Sequence, residues 1–286
     1  MKFRPGNVSG SARPGRGLLA GAAFAAAATL LSGFFLAGAP AGAAQAQITV
    51  YAASSLTEVF PEIDGSPRYS FGGSNTLAAQ IRQGAPAQVF ASANMSIPRQ
   101  LARQGLCSKP VVFTRNALVL IVPSANPAGI KSVYDLRKPG TKLVIAGEGV
   151  PVGSYTRRIL GKMNLKSVLS NVVSNETNVR EVLAKVALGE ADAGFVYATD
   201  AKTVPGRLAI LRLPARAQPN VAYGICIPTS AKGNADARAF IHGVLGKAGQ
   251  AKLIAAGFLP RVEARVVVPV EKATPKHNKK PAKKRR

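Results

Sequence analysis

The chain is poor in the residues that build metal centres and nucleophilic active sites. It has two cysteines and two histidines in 286 residues. His242 and His277 stand at no ligand spacing from Cys107 and Cys226, which argues against a Cys/His metal site. The phosphate-cradling pattern G-x-x-x-x-G-K-[ST] is absent, and so is the nucleophile elbow G-x-S-x-G. No internal repeat of about 20–50 residues occurs, which removes solenoids and propellers. Acids are also scarce, 13 against 38 Lys and Arg, for a net charge of +25.

That charge is unevenly spread. Residues 1–47 carry four Lys/Arg and no acid, residues 271–286 carry eight against Glu271, and the remaining +14 belongs to residues 48–270. The body is therefore basic in its own right, which favours anionic partners but does not specify a fold. Lys2, Arg4, Arg13 and Arg16 precede an apolar Ala/Leu/Phe stretch that ends in small residues around Ala41–Ala46. Residues 1–47 read as a secretory signal peptide. An uncleaved anchor is the alternative, since the stretch is long enough to span a bilayer, but Pro40 and the small residues favour cleavage. No cysteine lies there, so an acylated N-terminus is excluded and a free periplasmic protein is expected. Export makes a Cys107–Cys226 disulfide feasible, and two buried thiols are equally compatible with the sequence.

From residue 48 short apolar, β-branched runs alternate with segments of helical period. The runs are Ile48–Ala52, Val89–Ala91, Leu118–Val122, Leu143–Ala146, Gly194–Tyr197, Leu208–Leu213 and Ala222–Ile227. Leu77/Ile81, Ile159/Met163 and Val179/Val182/Leu183/Val186 mark helices between them. The alternation predicts an α/β protein with largely parallel sheets. The tail over residues 263–286 becomes Lys- and Pro-rich from Pro269 without apolar period, and reads as disordered.

Four predicted helix starts share small or hydroxyl residues and few charges. They are Ser54-Ser55 with Glu58 as a capping box, Gly72-Gly73-Ser74 before a helix that Gly84 can stop, Val150–Tyr155, and Asn178-Val179 with Asn178 as N-cap. A helix start exposes unpaired N–H groups and the positive end of the dipole, so convergent starts can hold an anion without a counter-charge. Such a site suits a deprotonated dianion, which accepts hydrogen bonds and donates none. Taken singly, each start is as well explained by ordinary capping or a turn.

The runs "ITVYAASSLTEVF", "SFGGSNTLAAQIRQGAPAQVFASAN", "KPVVFTRNALVLIVPSANPAGI", "GVPVGSYTRRIL", "NVREVLAKVALGEADAGFVYATDA" and "AKLIAAGFLP" follow in an order and spacing that resemble the periplasmic molybdate-binding proteins of bacterial ABC importers. The resemblance covers residues 48–260. It implies a type II periplasmic binding protein fold, with two α/β lobes joined by two crossing strands and the ligand in the cleft. Lobe one is expected over 48–119 and 224–262, lobe two over 120–223, with Ala117–Val122 and Ala222–Ile227 as the crossing strands. Carried over position by position, the resemblance places hydroxyl donors at Ser55 and Ser74, backbone donors at Val152 and Val179, and a phenol donor at Tyr197.

The implied ligand is molybdate or tungstate, with sulfate or another oxyanion as the alternative. The implied partner is an ABC importer permease, with the chain acting as a monomer, not an enzyme, and needing no cofactor. Three departures stand out. The segment between Ser55 and Ser74 is short, Pro61 interrupts the first helix, and Gln88 and Asn94 are neutral where the family pattern carries acids. The basic tail is not a family feature. It reads first as a solvated tail without specific function, with weak contact to an anionic membrane surface rather than nucleic acid, or an anion-sensing adaptor, as the alternatives. A Ser54 or Ser55 hydrolase is disfavoured, because neither histidine lies in the matching runs.

Overall fold

The computed structural model describes residues 47–261. The expected leader, apart from Gln47, and the expected basic tail lie outside the described residues. The strand β1 (Thr49–Ala53) runs into a 3-10 turn at Ser54–Leu56 and the short helix α1 (Val59–Ile63). Then come β2 (Arg68–Gly72), α2 (Ser74–Arg82), β3 (Val89–Ser92), α3 (Ser96–Arg103) and β4 (Val111–Asn116). A second run holds β5 (Leu118–Pro123), β6 (Leu143–Ala146), α4 (Pro151–Lys162), β7 (Val172–Glu176), α5 (Val179–Ala187), β8 (Ala193–Tyr197), α6 (Ala198–Ala201) and β9 (Leu208–Arg212). The described chain closes with β10 (Val221–Cys226), α7 (Ala235–Leu245) and α8 (Lys247–Ala255).

The strands form two five-stranded sheets, ordered β2-β1-β3-β10-β4 and β7-β6-β8-β5-β9. Each is parallel over three strands, and β10 in the first sheet and β5 in the second run antiparallel to their neighbours. The expectation of largely parallel sheets is corrected to mixed ones. Parallel neighbours need a helical crossover, which α1, α2, α4 and α5 provide. β5 and β10 instead enter their sheets directly from the opposite lobe and run the other way.

The chain leaves the first sheet after Asn116 and returns to it between Arg212 and Val221. The expected crossing segment Ala117–Val122 begins at the first passage, but its strand β5 lies in the second sheet, and Ala222–Ile227 follows the second passage, with β10 in the first sheet. The passages are Ala117 and residues 213–220, a few residues ahead of the expected lobe boundaries. Side chains set those points. The Asn116 side chain accepts from the Ala117 N–H at 2.9 Å, and Gln218 both accepts from the Leu118 N–H at 3.2 Å and donates to the Leu118 carbonyl at 2.8 Å.

Buried side chains from both sheets form one contiguous cluster, including Val50, Phe60 and Phe113 beside Leu120, Ile145 and Phe195. A smaller cluster of Leu77, Ile81, Phe90 and Leu101 surrounds a Cys107–Cys226 disulfide with Cα atoms 6.1 Å apart. The pairing left open by the sequence is thus a bridge within the first lobe. Pro61 sits inside α1, a helix of only five residues, yet Phe60 is fully buried against Phe240 and Phe113. The truncated helix therefore still anchors the segment that carries Ser55.

Candidate functional site

Strands β1 and β8 aim their C-terminal ends at the space between the lobes, and the helix starts of α2, α4 and α5 border the same space. Ser55, Ser74, Val152, Val179 and Tyr197 all line one cavity there, with Ser54, Gly72, Gly73, Val150 and Asn178. The cavity measures about 10 Å³, near what one water-sized occupant needs. Clefts for drug-sized ligands run to roughly 300–1,000 Å³. This closed space excludes a sugar or a peptide, and a species larger than water enters it only as the lobes part. No Lys or Arg is among its described lining residues.

Local structure frees a donor at each position. Ser74 is the first residue of α2, after Gly73 as N-cap, rather than the cap itself. Its hydroxyl oxygen accepts from the Ala93 N–H at 3.1 Å, so its own proton is available to the cavity. In α4, Pro151 occupies the first helical position, where its missing N–H leaves no donor to satisfy. The first bond across that turn is Ser154 N–H to Val150 carbonyl at 2.9 Å, which leaves the Val152 N–H outside the helical ladder. Asn178 caps α5 as expected, accepting from the N–H groups of Arg180 and Glu181 at 2.9 and 3.2 Å. Those two bonds bypass Val179, whose N–H remains for the cavity.

The Ser55–Glu58 capping box is not formed, and that expectation is corrected. The turn after β1 is 3-10, Glu58 precedes α1 without any side-chain cap bond, and both side chains have stronger partners elsewhere. Ser55 Oγ lies 2.8 Å from the hydroxyl of Tyr223. Asn116 Nδ2 donates to that same phenol at 3.4 Å and to Thr199 Oγ1 at 2.9 Å. If Tyr223 donates to Ser55, the Ser55 proton is free for a ligand. Burial pushes the Tyr223 phenol well above its ordinary pKa, so it keeps the proton this arrangement requires.

Tyr197 ends β8 with its ring against Tyr223, centroids 5.6 Å apart. Its hydroxyl is buried and has no hydrogen-bond partner among the described residues. Burial raises its pKa well above the ordinary phenol value, so at neutral pH it is a protonated donor. An orphaned buried hydroxyl costs about 1–3 kcal/mol, and here it borders a cavity where a ligand acceptor would satisfy it. The Asn75 Oδ1 atom also has no partner among the described residues, but it sits beside Gly73, and Asn75 is not among the residues lining the cavity.

The structure adds residues that the sequence reading did not single out. Arg180, one residue past Val179, donates through Nη1 to Glu58 Oε1 at 2.7 Å and through Nε to Asp200 Oδ1 at 2.7 Å. Glu58 belongs to the first lobe and Arg180 to the second, so this pair closes one side of the cleft. Asp200 is fully buried and also accepts the Tyr197 N–H at 3.3 Å. Gly73 packs so tightly on the Thr177 carbonyl that an added Cβ would overlap it. Tyr223, Asn116 and Asp200 are invisible in local patterns because their partners lie far off in sequence; Ser55 and Tyr223 are 168 residues apart.

Two α/β lobes that enclose a donor-lined, uncharged cavity define a two-lobed receptor for a small anionic solute. The profile of the bacterial extracellular solute-binding protein family matches residues 48–259, and the chain belongs to that family. The chain is 38% identical to molybdate-binding protein ModA of Mycobacterium tuberculosis over 231 residues, 77% of this chain and 87% of that protein. It is 32% identical to molybdate-binding protein ModA of Haemophilus influenzae, across 76% of this chain and 91% of that protein. The periplasmic molybdate-binding protein of Azotobacter vinelandii superposes with a TM-score of 0.65 at 24% identity, covering 74% of this chain and 99% of that one, a likeness of fold.

Proposed function

We propose that the chain captures molybdate outside the cytoplasm and delivers it to the permease of an ABC importer. The observation that carries this is the Tyr197 hydroxyl, buried and unpartnered at a cavity whose other polar edges are free to donate. A fully deprotonated tetrahedral dianion offers acceptors on every side and needs no acceptor from the protein. Ser55, Ser74 and Tyr197 supply hydroxyl protons, and the Val152 and Val179 N–H groups supply two more at the positive ends of α4 and α5. With no Lys or Arg among the described lining residues, charge is balanced by dipoles, and the anion can leave again when the lobes part.

Tungstate has the same charge and shape and competes for this site. Sulfate is smaller and leaves some of the five donors long. The role is binding rather than catalysis, with no cofactor beyond the bound anion, and the chain acts as a periplasmic monomer. Isothermal titration with molybdate, tungstate and sulfate tests the reading: one molybdate per chain, tungstate equal, sulfate weaker by at least about tenfold, or 1.4 kcal/mol. Absent molybdate binding, or sulfate binding as tightly, would overturn it.

A further inference from the structure

Beside the donor-lined cavity lies a second and larger one, of about 320 Å³, between α3 and α4. The two share only Pro151 among their lining residues. The chemistry of the second is different in kind. Arg99 of α3, Arg115 of β4 and Arg158 of α4 line it, with Tyr155, Asn94 and Asn220 between them, and no acid is among its described lining residues.

Arg115 is committed to protein partners, and Arg158 is seated on an aromatic ring. Arg115 donates through Nε to the Arg261 carbonyl at 3.2 Å and also bonds the Asn220 side chain. Arg158 lies over the Tyr155 ring, 5.5 Å from its centroid. Tyr155 is buried, and burial raises its phenol above the ordinary value, so a neutral hydroxyl stands beside the Arg158 cation. Asn94 is one of the two positions where the family pattern carries an acid. As a neutral amide it brings no negative charge to the pocket wall.

We infer that this arginine-lined pocket is a second anion site, distinct from the oxyanion cavity, and takes one compact multivalent anion bearing phosphate or carboxylate groups. Guanidinium forks pair bidentately with both groups, and Arg99 and Arg158 bring one from each lobe, which fits a ligand with two or more anionic centres better than a single tetrahedral ion. The volume admits a diphosphate or a tricarboxylate but not an extended polymer. The walls come from both lobes, so an occupant touches each of them. The inference does not depend on which oxyanion the neighbouring cavity holds.

The test is titration of the full chain with inorganic pyrophosphate and, separately, with citrate, at physiological salt, with and without saturating molybdate. The expected result is saturable one-to-one binding of at least one of the two in both conditions, the tighter arm identifying the group recognised. The Arg99→Gln/Arg158→Gln double variant should weaken it at least tenfold while keeping molybdate affinity within twofold, which also reports that the variant is folded. Arg103→Gln/Lys109→Gln, which removes nearby cations outside the pocket, should change it less than twofold. Three results would overturn the inference: no saturable binding of either probe, equal losses in the two double variants, or polyanion binding abolished by molybdate, which would place the probe in the first cavity.

Discussion

Arg180 and Glu58 meet across the cleft in a two-pronged contact, one prong at 2.7 Å, although 122 residues separate them in the chain. The Arg180 N–H lies next to that of Val179, and Glu58 follows Ser55 by three residues, so the pair ties together two of the segments that line the cavity. Burial alone would lower the Arg180 pKa, but the charges of Asp200 and Glu58 outweigh it and hold the guanidinium ionised.

Glu58→Gln should therefore loosen the closed cleft without altering the donors. The carboxylate is 47% exposed, so solvent screens the pair and the loss is modest, about 1 kcal/mol or less. The expected outcome is a molybdate dissociation rate up to about fivefold faster, with a smaller change in association rate. Stopped-flow displacement by tungstate reads both. An unchanged dissociation rate would mean that the contact does not resist opening.

Tyr197→Phe should separate binding from stability in sign. Each hydrogen bond to a charged ligand contributes roughly 1.5–3 kcal/mol, so molybdate affinity should fall about ten- to a hundredfold. In the anion-free protein the same change removes a buried hydroxyl without a partner among the described residues. The melting temperature of that form should rise by a few degrees. Ser55→Ala and Ser74→Ala should weaken binding to a similar extent, and Tyr223→Phe should follow Ser55→Ala by removing its donor. None of these three should raise the melting temperature. Scanning calorimetry with and without molybdate distinguishes the patterns.

The parts of the fold that are legible in sequence are those buried on both faces. β3, β6 and β8 are wholly buried and stand out as unbroken apolar runs. β2, β4 and β7 give no such run, and each lies at the edge of a sheet with mixed exposure. An edge strand needs apolar residues on fewer positions, so three of the four edges carry no run; β9 is the exception, apolar from Leu208 to Leu211 although it is only partly buried. The helix starts are legible for a different reason: an N-cap or a leading Pro is written within three or four residues, as at Asn178 and Pro151. The Ser55–Glu58 spacing has the same local signature and misleads, because Tyr223 and Arg180 compete for those side chains from across the fold.

Gly73→Ala should keep the lobes folded but hold the cleft ajar. The added methyl would overlap the Thr177 carbonyl of the opposite lobe, and both partners are backbone that cannot swing aside. Gly73 has φ −63°, so alanine fits its local conformation and the clash falls between lobes. Molybdate affinity should drop by about a hundredfold or more, roughly 3 kcal/mol, with little change in circular dichroism. Small-angle scattering should show no compaction when molybdate is added.

The Cys107–Cys226 bridge spans 119 residues of sequence. Closing a loop of that size stabilises by about 4–5 kcal/mol in the chain-entropy picture. Cys107→Ala/Cys226→Ala should lower the urea midpoint by a corresponding amount. Molybdate affinity should stay within a few-fold, because the bridge sits in the small cluster under α2 and α3 and lines no part of the donor cavity. A variant as stable as the parent would show that the unfolded chain gains nothing from release of the link.

Asp200 should leave a signature in the pH dependence of folding. Its carboxylate is fully buried, and burial pushes its pKa from 3.8 up to about 6 against the pull of Arg180. The folded state therefore holds this proton more tightly than the unfolded chain does. Between about pH 4 and pH 6 the folded state carries the extra proton, so this contribution to stability declines as pH rises through the window. It is fully present below the unfolded value and gone above the folded one. In Asp200→Asn nothing titrates at this position, while Arg180 keeps its contact with Glu58. The parent's unfolding free energy minus that of Asp200→Asn should therefore fall by on the order of 2–3 kcal/mol from about pH 4 to pH 7. Urea unfolding of both proteins at several pH values measures the difference directly. A difference that rises with pH would mean that Arg180, not burial, dominates the carboxylate, and that Asp200 is a stabilised anion throughout.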